Sequence, residues 1–321
     1  IISNIFDIRV TTLEGWFDVT SYEIVPPKSW VSGEIQFQIA FDRGDPEILG
    51  YDPEVHGEGH STEWPVFEFK LSSERAMYAY SFIKELVIET CEIRVDVEQM
   101  KNLSVFNDLG ILDTTVPFFP FGSNPEVGSY FLIGNEEVFQ KNITDLSIDI
   151  KWHNLPKKVG GFKGYYKAYN NDINNESFKV GISCLTDFQF RPSELDSVQN
   201  FDLFKSLGDE DRLDNQSSLD NINIDKLKMK PIYDDIDIEN FDNRSKTGFF
   251  KIELLGPEDG FGFGSYLELY TNALMENVPQ TKSGIRPAKE KPKVSIPKEP
   301  FSPEIRELTL KYSARTLITL D

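Results

Sequence analysis

The chain has 321 residues, with 33 lysines and arginines against 53 aspartates and glutamates, so its formal net charge is −20 at pH 7. A chain this acidic repels nucleic-acid phosphates and anionic membrane surfaces, which argues against nucleic acid as a partner. Hydrophobic residues make up 39% of the sequence, enough for a packed core, and no apolar run approaches the ~20 residues needed to span a bilayer. We expect a folded protein of about two domains without membrane insertion.

Apolar residues alternate with polar ones in several segments of the first third of the chain. In one of these, Ile35, Phe37 and Ile39 share a face, which is the period-two pattern of a half-buried antiparallel strand. Similar strands are predicted at residues 6–10, 16–24, 66–71, 88–97 and 103–106. A serine cap before residues 76–86 predicts one short helix. These elements predict a β-sandwich-like domain over residues 1–113.

A second unit is predicted to begin with a proline-flanked aromatic segment at residues 117–122. Proline fixes φ and interrupts strand pairing, so this segment should be an extended strap lying over a core. We expect it to lie at a domain or subunit boundary. Its candidate interaction residues are Pro117, Phe118, Phe119 and Phe121.

The rest of the second unit mixes strands with helices. Strands are predicted at residues 130–133, 146–152, 178–190 and 249–255, with a helical turn at 136–141 and a helix at 266–276. Within residues 162–169, four aromatic side chains recur at helical spacing, which predicts an amphipathic helix whose aromatic face packs in the core. We therefore expect residues 114–278 to form a β-rich α+β domain.

An acidic excursion interrupts this domain at residues 193–245. It holds 14 aspartates and glutamates against 6 lysines and arginines, together with many asparagines and serines. Its apolar residues are too numerous for a disordered segment, so we expect it to pack partly on the body of the domain.

Residues 279–303 form the clearest predicted boundary. Five prolines and six basic residues within residues 279–301 predict an extended, polyproline-like linker, with Lys289, Lys291 and Lys293 as candidate interaction residues. Residues 304–321 return to a strand pattern and are interpreted as the first strand of a following domain. Both chain ends read as strands, so we expect the sequence to be a segment of a longer polypeptide. The predicted class is mainly β with minor α, as β-sandwich-like domains joined by a Pro/Lys-rich linker.

Few residues point to chemistry. His56 and His60 are four residues apart, but Gly57 and Gly59 disfavour the helix that would place both on one metal ion, so a surface loop is favoured. Acidic clusters at residues 209–211 and 234–239 lack the spacing of an EF-hand loop. Cys91 and Cys184 are interpreted as two buried free thiols, with a disulfide or a catalytic thiol as alternatives. No catalytic, metal-binding or cofactor-binding residue is predicted, and we expect no cofactor and no enzymatic activity.

Several phrases resemble a known family. They lie at residues 64–71 with 78–86, 102–110, 117–122 with 128–134, 137–139 and 152–156, and 300–305 with 308–312. Together they are similar to the baseplate J-like wedge proteins of bacterial contractile injection systems, which are phage-tail-like particles. The similarity spans residues 64–321 with gaps, and the excursion at 193–245 has no counterpart in it.

The resemblance implies a structural role without catalytic residues. Such proteins assemble around a central hub and spike, connect it to the sheath and tube, and rearrange when the sheath contracts. The expected partners are other baseplate subunits in a large hetero-oligomer, namely wedge copies, hub or spike proteins, and sheath or tube proteins. Without a signal peptide, assembly is expected in the bacterial cytoplasm, before the particle becomes extracellular or membrane-associated.

Two other functions stay open from the residues alone. A β-sandwich could bind or process glycans, with a tryptophan as the stacking platform beside carboxylates. The candidate platforms are Trp16, Trp30, Trp64 and Trp152. A calcium-dependent adhesion module is the other alternative, with the acidic clusters as ligands.

Overall fold

The computed structural model describes residues 5–20, 22–25, 36–42, 44–72, 87, 90–169, 172–194, 197–208, 211–278 and 294–319. The chain divides into two compact units, Ile1–Glu89 and Thr90–Asp321. Both are built mainly from antiparallel strands with few helices, which confirms the predicted fold class. No helix of the described residues is long and apolar enough to cross a membrane.

The first unit contains a small three-stranded sheet and a separate hairpin. Its strands are β1 (Phe6–Thr12), β2 (Gly15–Asp18), β3 (Tyr22–Val25), β4 (Gln36–Ile39) and β5 (Phe67–Leu71), and its short helix is α1 (Pro53–His56). Strand β1 lies between β2 and β5, and β3 pairs with β4. Ile8 and Val10 of β1 are buried while Arg9 between them is exposed, as the alternating sequence predicts.

The second unit holds most of the regular structure. Its strands are β6 (Thr90–Met100), β7 (Ser104–Asn107), β8 (Gly110–Ile111), β9 (Tyr130–Gly134), β10 (Ile143–His153), β11 (Lys179–Thr186), β12 (Gln189–Arg191), β13 (Gln199–Asp202), β14 (Ser206–Leu207), β15 (Arg212–Leu213), β16 (Gln216–Leu219), β17 (Phe249–Gly256) and β18 (Glu304–Thr319). Its α-helices are α2 (Glu136–Phe139), α3 (Gly161–Tyr165), α4 (Ile224–Leu227) and α5 (Phe263–Asn277).

Two sheets of the second unit enclose one core. The first has the order β16-β10-β18-β6, and the second has the order β12-β11-β17-β9-β7-β8, with β13 also paired to β11. Ile148 of β10 and Leu310 of β18 belong to the same buried cluster as Ile133 of β9 and Ile252 of β17. The two sheets therefore pack face to face as a sandwich.

The opposite face of the larger sheet is partly covered by a smaller cluster. Phe106, Leu132, Leu185 and Phe249 are buried there, because alternate residues of their strands point away from the main core. Phe241, from the acidic excursion, packs on this cluster. The larger sheet is thus apolar on both faces.

The division of the chain differs from the one that the sequence predicted. The boundary lies at Glu89/Thr90 rather than at residue 113, because β6 and β7 pair with strands of the second unit. Residues 304–319 are not the first strand of a following domain. They form β18, which lies between β10 and β6 with Leu310 opposite both Ile148 and Met100.

Residues 279–293 of the predicted linker, and the predicted helix at 76–86, lie outside the described residues.

The acidic excursion packs on the body, as expected. It supplies β13 to β16 and α4, and its apolar side chains Leu203, Phe204, Leu219 and Leu227 are buried in the main core.

The aromatic segment that follows β10 forms a shorter helix than its spacing predicts. Helix α3 ends at Tyr165, and Gly161 and Gly164 lie within it, residues that lower helix stability.

The central position of β18 leads to a stability prediction. Replacing Leu310, which is fully buried, by alanine should destabilise the second unit by about 2–5 kcal/mol, because it leaves a cavity between the sheets. Leu317 lies on the same strand but is 57% exposed, so Leu317→Ala should cost less than about 0.5 kcal/mol. Urea unfolding followed by circular dichroism measures both. Equal losses for the two variants would contradict the place assigned to β18.

Candidate interaction site

The two histidines considered as metal ligands, His56 and His60, contact other groups of the first unit. Nε2 of His56 lies 2.9 Å from the carbonyl oxygen of Thr12, and Nε2 of His60 lies 3.0 Å from Oε1 of Glu68. In the part of the chain that the structure describes, no group of three histidine, cysteine, aspartate or glutamate residues could hold a metal ion. Asp209 and Glu210 of the predicted acidic clusters lie outside that part. Through their contacts with Thr12 and Glu68, His56 and His60 connect segments of the first unit.

The two cysteines are free but differ in exposure. Cys184 of β11 is buried, and its burial raises the pKa of the thiol to about 12. Cys91 of β6 is exposed, so the expectation of two buried thiols is wrong for this residue. It lies where β6 pairs with the end of β18, beyond the buried part of the sheet.

The tryptophans considered for sugar stacking have mixed surroundings. Trp152 is buried and its indole N–H donates to Oγ of Ser217 at 2.8 Å. Trp16 donates to the carbonyl of His56. Trp64 is 68% exposed, and Trp30 lies outside the described residues. No observation on the described tryptophans favours a sugar-binding platform.

The strap at residues 117–122 is bound into the core by alternate side chains. Phe118 and Phe121 are buried, whereas Pro117 and Phe119 face solvent. The backbone of Phe118 exchanges two hydrogen bonds with Ile305 just inside β18, at N–O distances of 3.0 and 2.8 Å. Two of the four predicted interaction residues therefore serve packing, and two remain available for contacts.

Next to this strap is an exposed apolar surface, which we call the hairpin tip and define by Leu109, Ile111 and Phe119. These side chains are 81%, 67% and 39% exposed. The amide of Asn107, at the end of β7, holds the surface together. It donates to the carbonyl of Phe119 at 3.3 Å and accepts from the backbone N–H of Leu109 at 2.9 Å. Exposed apolar groups fixed in this way are typical of protein–protein contact surfaces.

Sequence reasoning missed Leu109 and Ile111 as contact residues. The signal that could have identified them is a turn sequence at residues 107–110, with apolar residues beside it in place of the usual polar ones. The proximity of this turn to Phe119 depends on tertiary packing.

A second strap, residues 294–303, runs along a tyrosine cluster; we call it the C-terminal strap. The hydroxyls of Tyr165 and Tyr169 donate to the carbonyls of Glu299 and Lys298, at 2.9 and 2.7 Å. The N–H of Phe301 donates to the hydroxyl of Tyr166 at 3.2 Å. These contacts connect the strap to the core immediately before β18 begins.

The tyrosines of this cluster stay neutral at ordinary pH. Burial raises the pKa of both Tyr166 and Tyr169 well above the usual tyrosine value. The Tyr166 hydroxyl also donates to the carbonyl of Phe261 at 2.9 Å. The ammonium of Lys298 lies 4.5 Å from the centre of the Tyr165 ring, a cation–π distance. The predicted interaction residues Lys289, Lys291 and Lys293 lie outside the described residues.

The outer face of the smaller sheet carries matched charges. Glu307 of β18 contacts the ammonium groups of both Lys101 and Lys151, each at 2.7 Å. These hydrogen bonds lower the pKa of the Glu307 carboxyl to about 2. Farther along the strand Lys311 pairs with Glu98 at 2.6 Å. This face is polar and largely self-neutralised.

Comparison with known families identifies the class of protein. The model of the family described as baseplate protein PVC11-like matches residues 82–284, which is more than half of the chain. The chain therefore belongs to the family of PVC11-like baseplate proteins. A search of curated proteins finds no match to this sequence.

Family membership supports the resemblance to baseplate proteins noted in the sequence. The chain is a baseplate component of a contractile injection system, with a structural role among other baseplate components. The match covers the aromatic strap, the hairpin tip, the tyrosine cluster and the acidic excursion. The matched range includes the excursion at residues 193–245, which matched none of the phrases on which the resemblance depended.

The tyrosine cluster leads to a prediction for the C-terminal strap. Tyr166→Phe removes one donor and one acceptor, leaving the N–H of Phe301 without this partner, and should destabilise the second unit by about 1–3 kcal/mol. Hydrogen exchange at Phe301 should become faster. Tyr270, for which no side-chain hydrogen bond is found in the described residues, supplies the control Tyr270→Phe, which should leave both measurements unchanged. Unaltered exchange in Tyr166→Phe would contradict this account.

The lowered pKa of Glu307 leads to a prediction of pH dependence. A carboxyl whose pKa is lowered by folding stabilises the protein above its unfolded pKa, and this contribution is lost as pH falls toward the folded value of about 2. The melting temperature of the wild-type chain should therefore fall more between pH 5 and pH 2 than that of Glu307→Gln. The difference should correspond to about 1 kcal/mol, because these ion pairs are partly exposed. Identical pH profiles would exclude the role of Glu307.

Proposed function

We propose that the protein is a structural component of the baseplate wedge, which links the hub and spike to the sheath by protein–protein contacts. The observation that carries the proposal is the hairpin tip, an exposed apolar surface that Asn107 hydrogen-bonds to the sandwich of a baseplate-family chain. Its partners would be wedge copies, hub or spike proteins, and sheath or tube proteins. Apolar side chains at such a surface are buried when a partner docks.

The sandwich supports this role mechanically. A linking subunit must transmit force between its contact surfaces without unfolding, and two sheets sharing one core resist local opening. The hairpin tip lies on the larger sheet through β7 and β8, and the C-terminal strap runs into β18 of the smaller sheet. Force applied by partners at these two places would therefore act on the packed core of the second unit.

The proposal is tested by placing charges on the hairpin tip. In co-expression with the other subunits of its baseplate, Leu109→Asp/Ile111→Asp should reduce co-purification by about tenfold or more, because a buried unpaired charge is costly at an interface. The melting temperature should be unchanged. The matched control is Val159→Asp/Leu267→Asp, two exposed apolar residues elsewhere in the second unit, which should assemble normally. Normal assembly of the hairpin-tip variant would overturn the proposed contact surface.

The linking role is tested by cross-linking mass spectrometry of intact particles. The wedge proposal expects cross-links from this chain to a hub or spike protein and to a sheath or tube protein. Cross-links to only one of these groups would leave a baseplate subunit without the linking role. We propose in addition that assembly takes place in the bacterial cytoplasm, which fractionation of unlysed producing cells would test.

A further inference from the structure

A cleft of about 320 Å³ lies where β10 begins and α4 ends. Three lysines line it, Lys141 before β10 and Lys228 and Lys230 after α4. The one carboxylate among its lining residues is Asp225. We call this feature the lysine cleft.

The lysine cleft is basic in a chain that is strongly acidic. The surrounding excursion, residues 193–245, holds 6 lysines and arginines against 14 aspartates and glutamates, and two of the six line the cleft. Neither Lys228 nor Lys230 forms an ion pair with a carboxylate of the described residues. Lys141 pairs with Glu137 at 3.5 Å. The cleft therefore has ammonium groups available for an external anion, in contrast to the self-neutralised face around Glu307.

Apolar side chains line part of the cleft, beside the lysines, Asn142 and Asp225. Ile143 is buried, and Ile224 and Met229 are partly buried against the main core. A small inorganic anion would leave the partly exposed Ile224 and Met229 in contact with water. A ligand with carboxylates beside aliphatic side chains would satisfy both the lysines and the apolar surface.

Nucleic acid fits this cleft poorly. A chain with a net charge of −20 repels a polyphosphate backbone at long range, and three lysines cannot offset this repulsion. A peptide segment with a few aspartates or glutamates carries far less charge and supplies the aliphatic groups. Charge and apolarity together point to an acidic peptide.

The backbone of Lys228 adds an independent observation. This residue caps α4 in the left-handed conformation, with φ of 52°, where glycine or asparagine is preferred. A lysine at such a position is less stable than glycine, and unfavourable backbone conformations of this kind are concentrated at functional sites. The backbone conformation at this position therefore gives no reason for a lysine in place of glycine.

We propose that the lysine cleft binds an acidic, aliphatic peptide segment of a neighbouring baseplate subunit. Aspartate or glutamate carboxylates of the segment pair with Lys228 and Lys230, and an aliphatic side chain packs on Ile224 and Met229. That the neighbour is a baseplate subunit rests on the proposed function, whereas the peptide chemistry follows from the cleft alone.

The test uses the full chain and a fluorescein-labelled peptide of alternating aspartate and isoleucine, with fluorescence anisotropy as the measurement. The wild-type chain should bind it, and binding should weaken as salt is raised. Lys228→Glu/Lys230→Glu should weaken it about tenfold or more, while Lys157→Glu/Lys158→Glu, the same charge change on an exposed loop, should alter it less than about twofold. Absent binding, equal effects of the two variants, or equal binding of a peptide with asparagine in place of aspartate would overturn the proposal.

Two further arms separate the proposal from simpler explanations. Lys228→Gly should raise the melting temperature, because glycine adopts a positive φ without strain, and should still weaken peptide binding several-fold. A lysine with only a structural role would leave binding unchanged. Tripolyphosphate is the competing anion, and if it binds more tightly than the peptide and displaces it, the cleft is a phosphate site and the proposal fails.

The outcome is independent of the proposed function. Leu109→Asp/Ile111→Asp should bind the peptide as the wild-type chain does, because the hairpin tip contributes no residue to the cleft. If peptide binding fails while that variant blocks assembly, the lysine cleft proposal falls and the proposed function stands. If the peptide binds and that variant assembles normally, the proposed contact surface at the hairpin tip falls and the lysine cleft stands as a peptide-binding site.

Discussion

The second unit depends on the antiparallel pairing of β18 with β10. Leu310 and Ile148 face each other in this pair, and both belong to the core shared by the two sheets. The pairing joins residues that are more than 150 positions apart in the chain, so forming it brings together the two ends of a long intervening segment that contains most strands of the second unit. Without β18, the edge strand β6 would lose its partner, and the core face of the smaller sheet would be open to water.

The two straps depend on this closure, because both are attached at the start of β18. Phe118 of the first strap pairs with Ile305, and the C-terminal strap is bonded to the tyrosine cluster immediately before the strand. Phe121 of the first strap packs on Phe131, and Phe301 of the C-terminal strap packs on a group of rings formed by Phe162, Phe178, Phe204 and Phe261. These rings bury large apolar areas, so two segments of irregular backbone gain a fixed position without belonging to either sheet.

The net charge of −20 is distributed unevenly, and its distribution bears on function more than its total. On the outer face of the smaller sheet, acidic residues are offset by neighbouring lysines and arginines, so that this face offers little field to a partner. At the lysine cleft, Lys228 and Lys230 lack such partners among the described residues. A baseplate component that presents an exposed apolar surface and a basic cleft can distinguish neighbours by both apolarity and charge.

The sequence by itself determined the element types where the pattern is local. Alternation predicted the strands around Ile8 and Ile148, and helical spacing predicted the helix that begins at Gly161, because the direction of a side chain follows from the backbone period alone. Local pattern could not show that residues 304–319 pair with β10 and β6 instead of beginning a new domain, since a strand carries no record of its partner. Likewise, only tertiary packing turned Phe118 inward and Phe119 outward, and brought Lys141 beside Lys228, because proximity between distant residues is a property of the folded core.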